Sequence, residues 1–204
     1  MKKILLIVLI TFLLLGCSNN KELSIKDAEI ESLQQKVVSL EQELKDSQHF
    51  NKYYNKAEKE YLTALFNSGD AEYNYEMSGW YYDDDYFVEA ISYCEGARNL
   101  YVEANSNYQK SISYFVESNK TSPQQYKELI HYYIKVCDQA IDINWAMYEA
   151  CEYFESASYQ YIKNNWDVGD EALERSNEKI LLHDSLVKSY NSDVARLDVL
   201  REQI

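Results

Sequence analysis

Residues 50–75, FNKYYNKAEKEYLTALFNSGDAEYNY, carry one apolar stripe whose spacing alternates between four and three residues. Large aromatic side chains occupy one row of the stripe and small side chains the other, at Phe50, Tyr54, Ala57, Tyr61, Ala64, Ser68, Ala71 and Tyr75. This period is typical of the buried face of an α-helix. Because large side chains opposite small ones let helices approach at a shallow angle, the stretch predicts one helix of an antiparallel bundle.

Three further segments repeat this arrangement, from Phe87 to Phe115, from Tyr126 to Tyr161 and from Leu173 to Ile204. The chain has one proline and five glycines, so few residues are available to form the turns that strands need. We therefore expect an all-α fold, in which an N-terminal coiled-coil-like helix leads into an elongated antiparallel bundle of about four long helices.

Polar segments separate the stripes and predict the interhelical turns, at residues 78–85, 119–123 and 164–169. Pro123 suits the first position of a helix that Ser122 would cap. The three adjacent acids Asp83, Asp84 and Asp85 are expected to complement the dipole of the helix that follows. Calcium is disfavoured there, since an EF-hand loop needs oxygen ligands at alternating positions and a central glycine.

A heptad pattern precedes the bundle. Leu23, Ile30, Val37 and Leu44 recur every seven residues, and leucines three positions beyond two of them widen the stripe. The pattern predicts a coiled-coil-like helix over residues 22–47, followed by a tyrosine-rich helical bundle over residues 48–204. The stripe either pairs with a second copy of the chain, giving a homodimer, or packs on its own domain.

The N-terminus has the pattern of a secretory signal peptide over residues 1–16. Lys2 and Lys3 precede an apolar run from Ile4 to Leu15, and the polar residues from Ser18 follow it. A membrane-spanning helix needs about 20 apolar residues, so this run is too short to span well.

The residues Leu14-Leu15-Gly16-Cys17 resemble the lipobox of bacterial and archaeal lipoproteins. The resemblance implies that Cys17 becomes the first mature residue and carries lipid, with residues 17–21 serving as anchor and linker. It further implies an exported protein, anchored to the outer side of the cell membrane or to the outer membrane. Each buried lipid methylene contributes about 0.8 kcal/mol, so several acyl chains would hold the protein almost permanently.

The net charge of −14 disfavours polyanionic partners. A chain this acidic is repelled by nucleic acid and by anionic headgroups, so attachment to a membrane must come from the lipid rather than from electrostatics. We expect no binding of nucleic acid.

Cys94, Cys137 and Cys151 remain after the anchor cysteine. Cys137 and Cys151 lie on one predicted helix about 21 Å apart, too far for a disulfide. Cys94 could pair with one of them at most, or all three are small buried side chains.

Few residues carry a pattern that predicts catalysis. Glu128 and His131 have the spacing of a di-iron carboxylate motif, but a second such pair is missing and both point away from the apolar stripe. The sequence also lacks a convincing nucleophile with a base and a phosphate-binding loop. We therefore expect no metal site, no cofactor and no enzymatic activity.

Asn144 and His183 fall within predicted core stripes. Either they make polar contacts that fix the helix register, or they line a ligand pocket between helices.

Tyrosine is unusually frequent, with 20 residues. Tyr73, Tyr132 and Tyr153 lie opposite their stripes, and exposed tyrosine is enriched at interfaces. These three residues predict a surface for a protein or glycan partner, unless other helices or a dimer bury them.

Residues 71–100 resemble one tetratricopeptide repeat, which implies a helical hairpin. The matching positions are Met77, Ser78, Tyr81, Phe87, Ala90, Cys94 and Ala97. Taken together, the sequence predicts a membrane-anchored, non-enzymatic lipoprotein that presents a helical bundle to a partner. The alternative is a sensor or carrier that holds a small ligand between its helices.

Overall fold

The computed structural model describes the backbone of residues 20–204 and the side chains of residues 26–204. Four α-helices and one short 3-10 helix account for nearly all of this part, and it contains no strand: α1 (Asn20–Asp83), α2 (Phe87–Asn119), the 3-10 helix (Gln124–Tyr126), α3 (Lys127–Ile162) and α4 (Trp166–Glu202). The predicted all-α fold is confirmed. Cys17 and the predicted signal peptide lie outside the described residues.

The chain divides into two units, one up to Gln48 and one from His49 to Ile204. The described part of the first unit is helical throughout. Leu33, Leu40 and Leu44 of the heptad stripe are each more than half exposed. The side chain of Leu23 lies outside the described residues. Pairing of two copies through this stripe stays a prediction.

The four helices of the second unit, counting α1 from His49, run antiparallel. Three ion pairs between α3 and α4 show this direction, because the residue numbers increase along α3 while those of the partners on α4 decrease. The pairs are Glu128–Arg196, Lys135–Asp193 and Glu149–Lys179. Small residues bring helices together: Ser111 of α2 donates to the carbonyl of Ala57 at 2.9 Å, and Ser176 of α4 donates to that of Ala150 at 2.9 Å. Close approach at small residues is what the stripe pattern predicts.

Aromatic side chains fill the core between these contacts. Tyr133 stacks on Phe115 with ring centroids 4.5 Å apart and meets Tyr61 edge to face at 5.3 Å. The Tyr133 hydroxyl donates to Oε1 of Glu58 at 3.1 Å. Each ring therefore contributes packing area, while a hydroxyl at the edge of the core finds a polar partner.

The turns after α1 and α3 share one backbone design. Asp85 and Asn164 adopt left-handed backbone conformations, with φ values of 63° and 59°. The amide of Tyr86 donates to the carbonyl of Tyr81 at 2.8 Å, and the amide of Asn165 donates to that of Gln160 at 2.9 Å. These bonds are typical of a Schellman motif, in which asparagine and aspartate tolerate the left-handed position better than most residues.

The first turn is shorter than predicted because α1 continues through Ser78 and Gly79. Ser78 Oγ donates to the carbonyl of Tyr75 at 2.6 Å inside the helix, and a helical glycine costs only about 1 kcal/mol. Tyr86 precedes α2, and no side chain caps that helix by a hydrogen bond. Asp85 instead lies beyond the end of α1 at Asp83, in the left-handed position of the turn.

Pro123 does not open α3 as predicted. It precedes the 3-10 helix, and α3 begins four residues later at Lys127. The hydroxyl of Ser122 bonds to Asn119 rather than to the next helix.

Candidate functional site

One end of the second unit, opposite to the end that begins at His49, brings two interhelical turns together around Tyr161. The ring of Tyr161 lies 5.7 Å from that of Tyr82, 5.6 Å from Phe87 and 5.1 Å from Trp166, measured between centroids. Tyr161 is buried, and its hydroxyl donates to Oδ1 of Asp170 at 2.6 Å. Burial and this bond both raise the pKa of Tyr161. The ring thus holds the two turns in a fixed arrangement.

Large apolar side chains at or beside these turns are exposed. Trp80 is 72% exposed, Tyr86 56% and Trp166 54%. Val88 and Val168 are also exposed beside them in sequence. We call these five residues the aromatic end. Such aromatic side chains are the ones most enriched at the energetic centres of protein interfaces.

Acidic residues accompany the aromatic end. Asp83, Asp84 and Asp85 lie in or beside the first turn, and Asp167 follows the second, while Lys163 is the one basic residue in the stretches 80–89 and 159–171. All four of these aspartates are exposed. The surface therefore combines large aromatic rings with negative charge.

The three tyrosines predicted as an interaction surface lie on two helices. Tyr73 of α1 is exposed. Tyr132 of α3 is half-buried beside Lys135, whose Nζ lies 5.8 Å from its ring centroid, and Tyr153 borders a shallow groove between α3 and α4. Tyr132 and Tyr153 stand about 31 Å apart along α3, since each residue adds 1.5 Å. These two therefore do not share one patch, and the role of the three tyrosines stays a prediction.

Asn144 is buried in a polar contact that links three helices. Its Nδ2 donates to Oδ1 of Asn105 on α2 at 2.9 Å and to Oγ of Ser68 on α1 at 3.1 Å. In the described part of the chain, Nδ2 of Asn105 is buried without a hydrogen-bond partner. The contact fixes the register of the three helices, yet it leaves one donor unsatisfied.

Asn144 also borders a cleft of about 290 Å³, which we call the Asn144 cleft. All four helices contribute to its lining, which includes Ser68, Gly69, Glu72, Tyr108, Asn144 and Tyr190. The lining is mixed, with tyrosine rings, a carboxylate and an amide in one place. This mixture of apolar walls and a few polar groups is typical of small-ligand sites.

His183 lies near the Asn144 cleft without lining it. Its Nδ1 contacts Oδ1 of Asp184 at 3.1 Å, and its side chain is half-buried. Desolvation raises the pKa of Glu72, the charge of His183 opposes that effect, and Glu76 adds to it. Of the two predicted pocket residues, Asn144 therefore borders the cleft. His183 does not line it and influences only the charge of Glu72, which does.

The three remaining cysteines are buried free thiols. Cys94 on α2 and Cys151 on α3 lie in one core cluster. Cys137 lies in a different cluster and contacts Oγ of Ser111 at 3.8 Å.

Metal ligands do not gather among the described residues, where no group of three or more histidine, cysteine, aspartate or glutamate side chains could hold an ion. Glu128 pairs with Arg196 at 2.7 Å, and His131 is exposed. None of the helices within residues 20–204 has the length and apolar character needed to cross a membrane.

Sequence reasoning missed the aromatic end. The signal was present in Gly79-Trp80-Tyr81-Tyr82, directly before the acidic run. Comparison of the chain with protein-family models, with curated proteins and with solved structures finds no match.

Proposed function

We propose that the protein is a non-enzymatic lipoprotein, anchored through lipid on Cys17 to the outer side of a membrane, whose helical bundle binds a protein partner. The lipobox-like residues support the anchor. The aromatic end carries the binding part of the proposal, because Trp80, Tyr86 and Trp166 are exposed at or beside two turns whose aromatic residues pack around Tyr161.

Rigid exposed aromatic residues suit binding more than catalysis. A tryptophan or tyrosine brings a large contact area with few rotatable bonds to immobilise, so the entropic cost of binding is small.

The negative charge of the aromatic end favours one class of partner. Exposed aspartates beside the rings attract lysine and arginine, and tryptophan faces bind their cationic groups. We therefore propose a protein with a basic segment as the partner. A neutral glycan stacked on the tryptophans is the competing occupant, and the experiment below separates the two.

Photo-crosslinking in the host envelope tests the proposal. Wild type is compared with the double variant Trp80→Ala, Trp166→Ala and with Phe66→Ala, which truncates an aromatic residue that is 68% exposed elsewhere on α1. We expect one crosslinked protein that is lost in the double variant, is retained in Phe66→Ala and is captured in lower yield when irradiation is carried out at higher salt. Each tryptophan contributes about 2 kcal/mol or more where it is a hot spot.

Two results would contradict this proposal. Retention of the crosslinked protein by the double variant would exclude the aromatic end, and crosslinking to carbohydrate without salt dependence would exclude the basic protein partner.

A Cys17→Ser variant tests the anchor separately, because it should leave the membrane fraction while keeping its helical content.

The Asn144 cleft favours the second candidate function, a sensor or carrier for a small ligand. A buried amide beside tyrosine rings is the observation that supports it. Calorimetric titration with small molecules tests this candidate, and a cleft that binds none of them would exclude it.

A further inference from the structure

The Asn144 cleft has a chemistry that selects one class of ligand. We infer that it binds a small organic ammonium ion, with Glu72 as the counter-charge and Tyr108, Tyr190 and Asn144 as the neutral contacts. This inference rests on the second candidate function and does not depend on the aromatic end.

Space for the ligand comes from Gly69. A Cβ atom added there would meet no heavy atom within 4 Å, although the residue is in the middle of α1. Glycine at such a position weakens a helix relative to alanine, so packing alone does not favour it. Because Gly69 has no side chain, the cleft stays open on this side of α1. Glu72 lies about one turn further along the same helix.

Charge in the cleft is negative, and neither lysine nor arginine balances it within the described residues. Glu72 lines it, and in the part of the chain that the structure describes this carboxylate makes no ion pair with lysine or arginine. No lysine or arginine lines the cleft either. Glu76 adds negative charge nearby, and His183 is the cationic group that acts on Glu72 when it is protonated. An anionic ligand would therefore be repelled, and a cation would be attracted.

The walls suit an ammonium group that carries carbon. Tyr108 and Tyr190 both line the cleft, and since Tyr108 is almost completely buried, the half-buried Tyr190 offers the larger aromatic surface. Tyrosine rings attract organic cations through their π faces. Asn144 is buried against the cleft and adds an amide oxygen. A bare metal ion would find one carboxylate here, too few charged oxygens for a calcium or magnesium site.

A purely structural role explains these groups less well. Stability alone would be served by alanine at position 69, and Asn105, the partner of Asn144, keeps a buried Nδ2 without an acceptor. Gly69 lines the cleft, and Asn105 contacts the lining residue Asn144.

Calorimetric titration of the full chain tests the inference. The probes are putrescine as a primary diammonium, choline as a quaternary ammonium, and glycerol and acetate as neutral and anionic compounds of small size. We expect at least one of the two ammonium probes to bind with one-to-one stoichiometry, and we expect glycerol and acetate not to bind.

Two variants locate the binding. Gly69→Leu should fill the cleft and abolish binding, since the position has room for the new side chain. Glu72→Gln keeps the shape and should weaken binding at least tenfold. Glu103→Gln and Gly79→Leu are the matched controls, because neither residue lines the cleft, and both should bind within twofold of wild type. Circular dichroism confirms that each variant is folded.

The possible failures are distinguishable. Binding of glycerol or acetate that is lost in Gly69→Leu would overturn the ammonium class while keeping the carrier function. Binding of ammonium that persists in Gly69→Leu would overturn the site. No binding by any probe would overturn the inference alone, and would leave the carrier candidate and the aromatic end to their own tests.

Discussion

Gly169 lies so close to Tyr161 that a Cβ atom at position 169 would stand 2.6 Å from Cε1 of the ring. The ring cannot simply retreat, because Tyr82, Phe87 and Trp166 surround it and its hydroxyl is bonded to Asp170. A glycine early in α4 is thus required by the packing of the aromatic end.

Gly169→Ala should therefore destabilise the bundle. We expect a loss of about 1–3 kcal/mol in the free energy of unfolding, since overpacking forces ring or backbone shifts. Urea denaturation followed by circular dichroism measures it. Gly79→Ala is the control, because a Cβ there meets nothing within 4 Å and should add up to about 1 kcal/mol of helix propensity. Equal effects of the two substitutions would contradict the role of Gly169.

Helical periodicity predicted part of the core but missed a second buried row on α3, which includes Leu129, Val136, Ile143, Ala150 and Ala157. The residues at the large positions of α2 and α3, such as Tyr101, Tyr108 and Tyr133, are nearly fully buried. Each of these positions follows from the 3.6-residue period without tertiary information. The prediction is wrong at Ile204, which is 44% exposed because α4 ends at Glu202.

The functional surfaces depend on tertiary structure and could not be predicted this way. Trp80 fell in a segment predicted as a turn, and Trp166 lay in another, so their common end became visible only with the helix lengths known. The link from Asn144 to Asn105 and Ser68 requires the register of three helices. A single periodic stripe does not contain that register.

The two thiols of Cys94 and Cys151 are placed to form a disulfide under oxidising conditions. Treatment with oxidised glutathione should remove one hydrogen atom from each thiol, reduce the oxidant to two glutathione molecules and join α2 to α3. Peptide mapping by mass spectrometry should identify this pair, and the bond should add about 2–4 kcal/mol to the free energy of unfolding.

Cys137 provides the control for the disulfide. Cys137→Ser should form the same bond as wild type, because Cys137 lies in another core cluster. Cys151→Ser should form no intramolecular bond. A disulfide that contains Cys137 would contradict the arrangement of the helices.

The exposed heptad leucines predict self-association. A chain of residues 18–204 without lipid should be a dimer by light scattering, and the triple variant Ile30→Ser, Val37→Ser, Leu44→Ser should be a monomer, since a and d positions hold a coiled coil together. Val38→Ser is the control, because Val38 is exposed and lies outside the heptad positions. A wild-type monomer across all concentrations would exclude the dimer.

Buried tyrosines should make the bundle sensitive to alkaline pH. Desolvation raises the pKa of Tyr75 to about 12 and also raises the pKa of Tyr101. An unfolded tyrosine ionises near pH 10, so the folded state binds these protons more tightly. The stabilisation is complete below about pH 10 and is lost as pH rises through the folded pKa. Helicity by circular dichroism and tyrosinate absorbance should therefore change together above pH 10.

Tyr101→Phe and Tyr133→Phe should have opposite effects on stability at neutral pH. The Tyr101 hydroxyl is buried without a partner among the described residues, so its removal should add about 1 kcal/mol. The Tyr133 hydroxyl donates to Glu58, and its removal should cost about 1 kcal/mol. Tyr101→Phe should also move the alkaline transition to higher pH, because the unfolded state loses one group that ionises there. Urea denaturation at pH 7 and a pH titration above pH 9 measure both effects, and a destabilised Tyr101→Phe would show that its hydroxyl has a partner in solution.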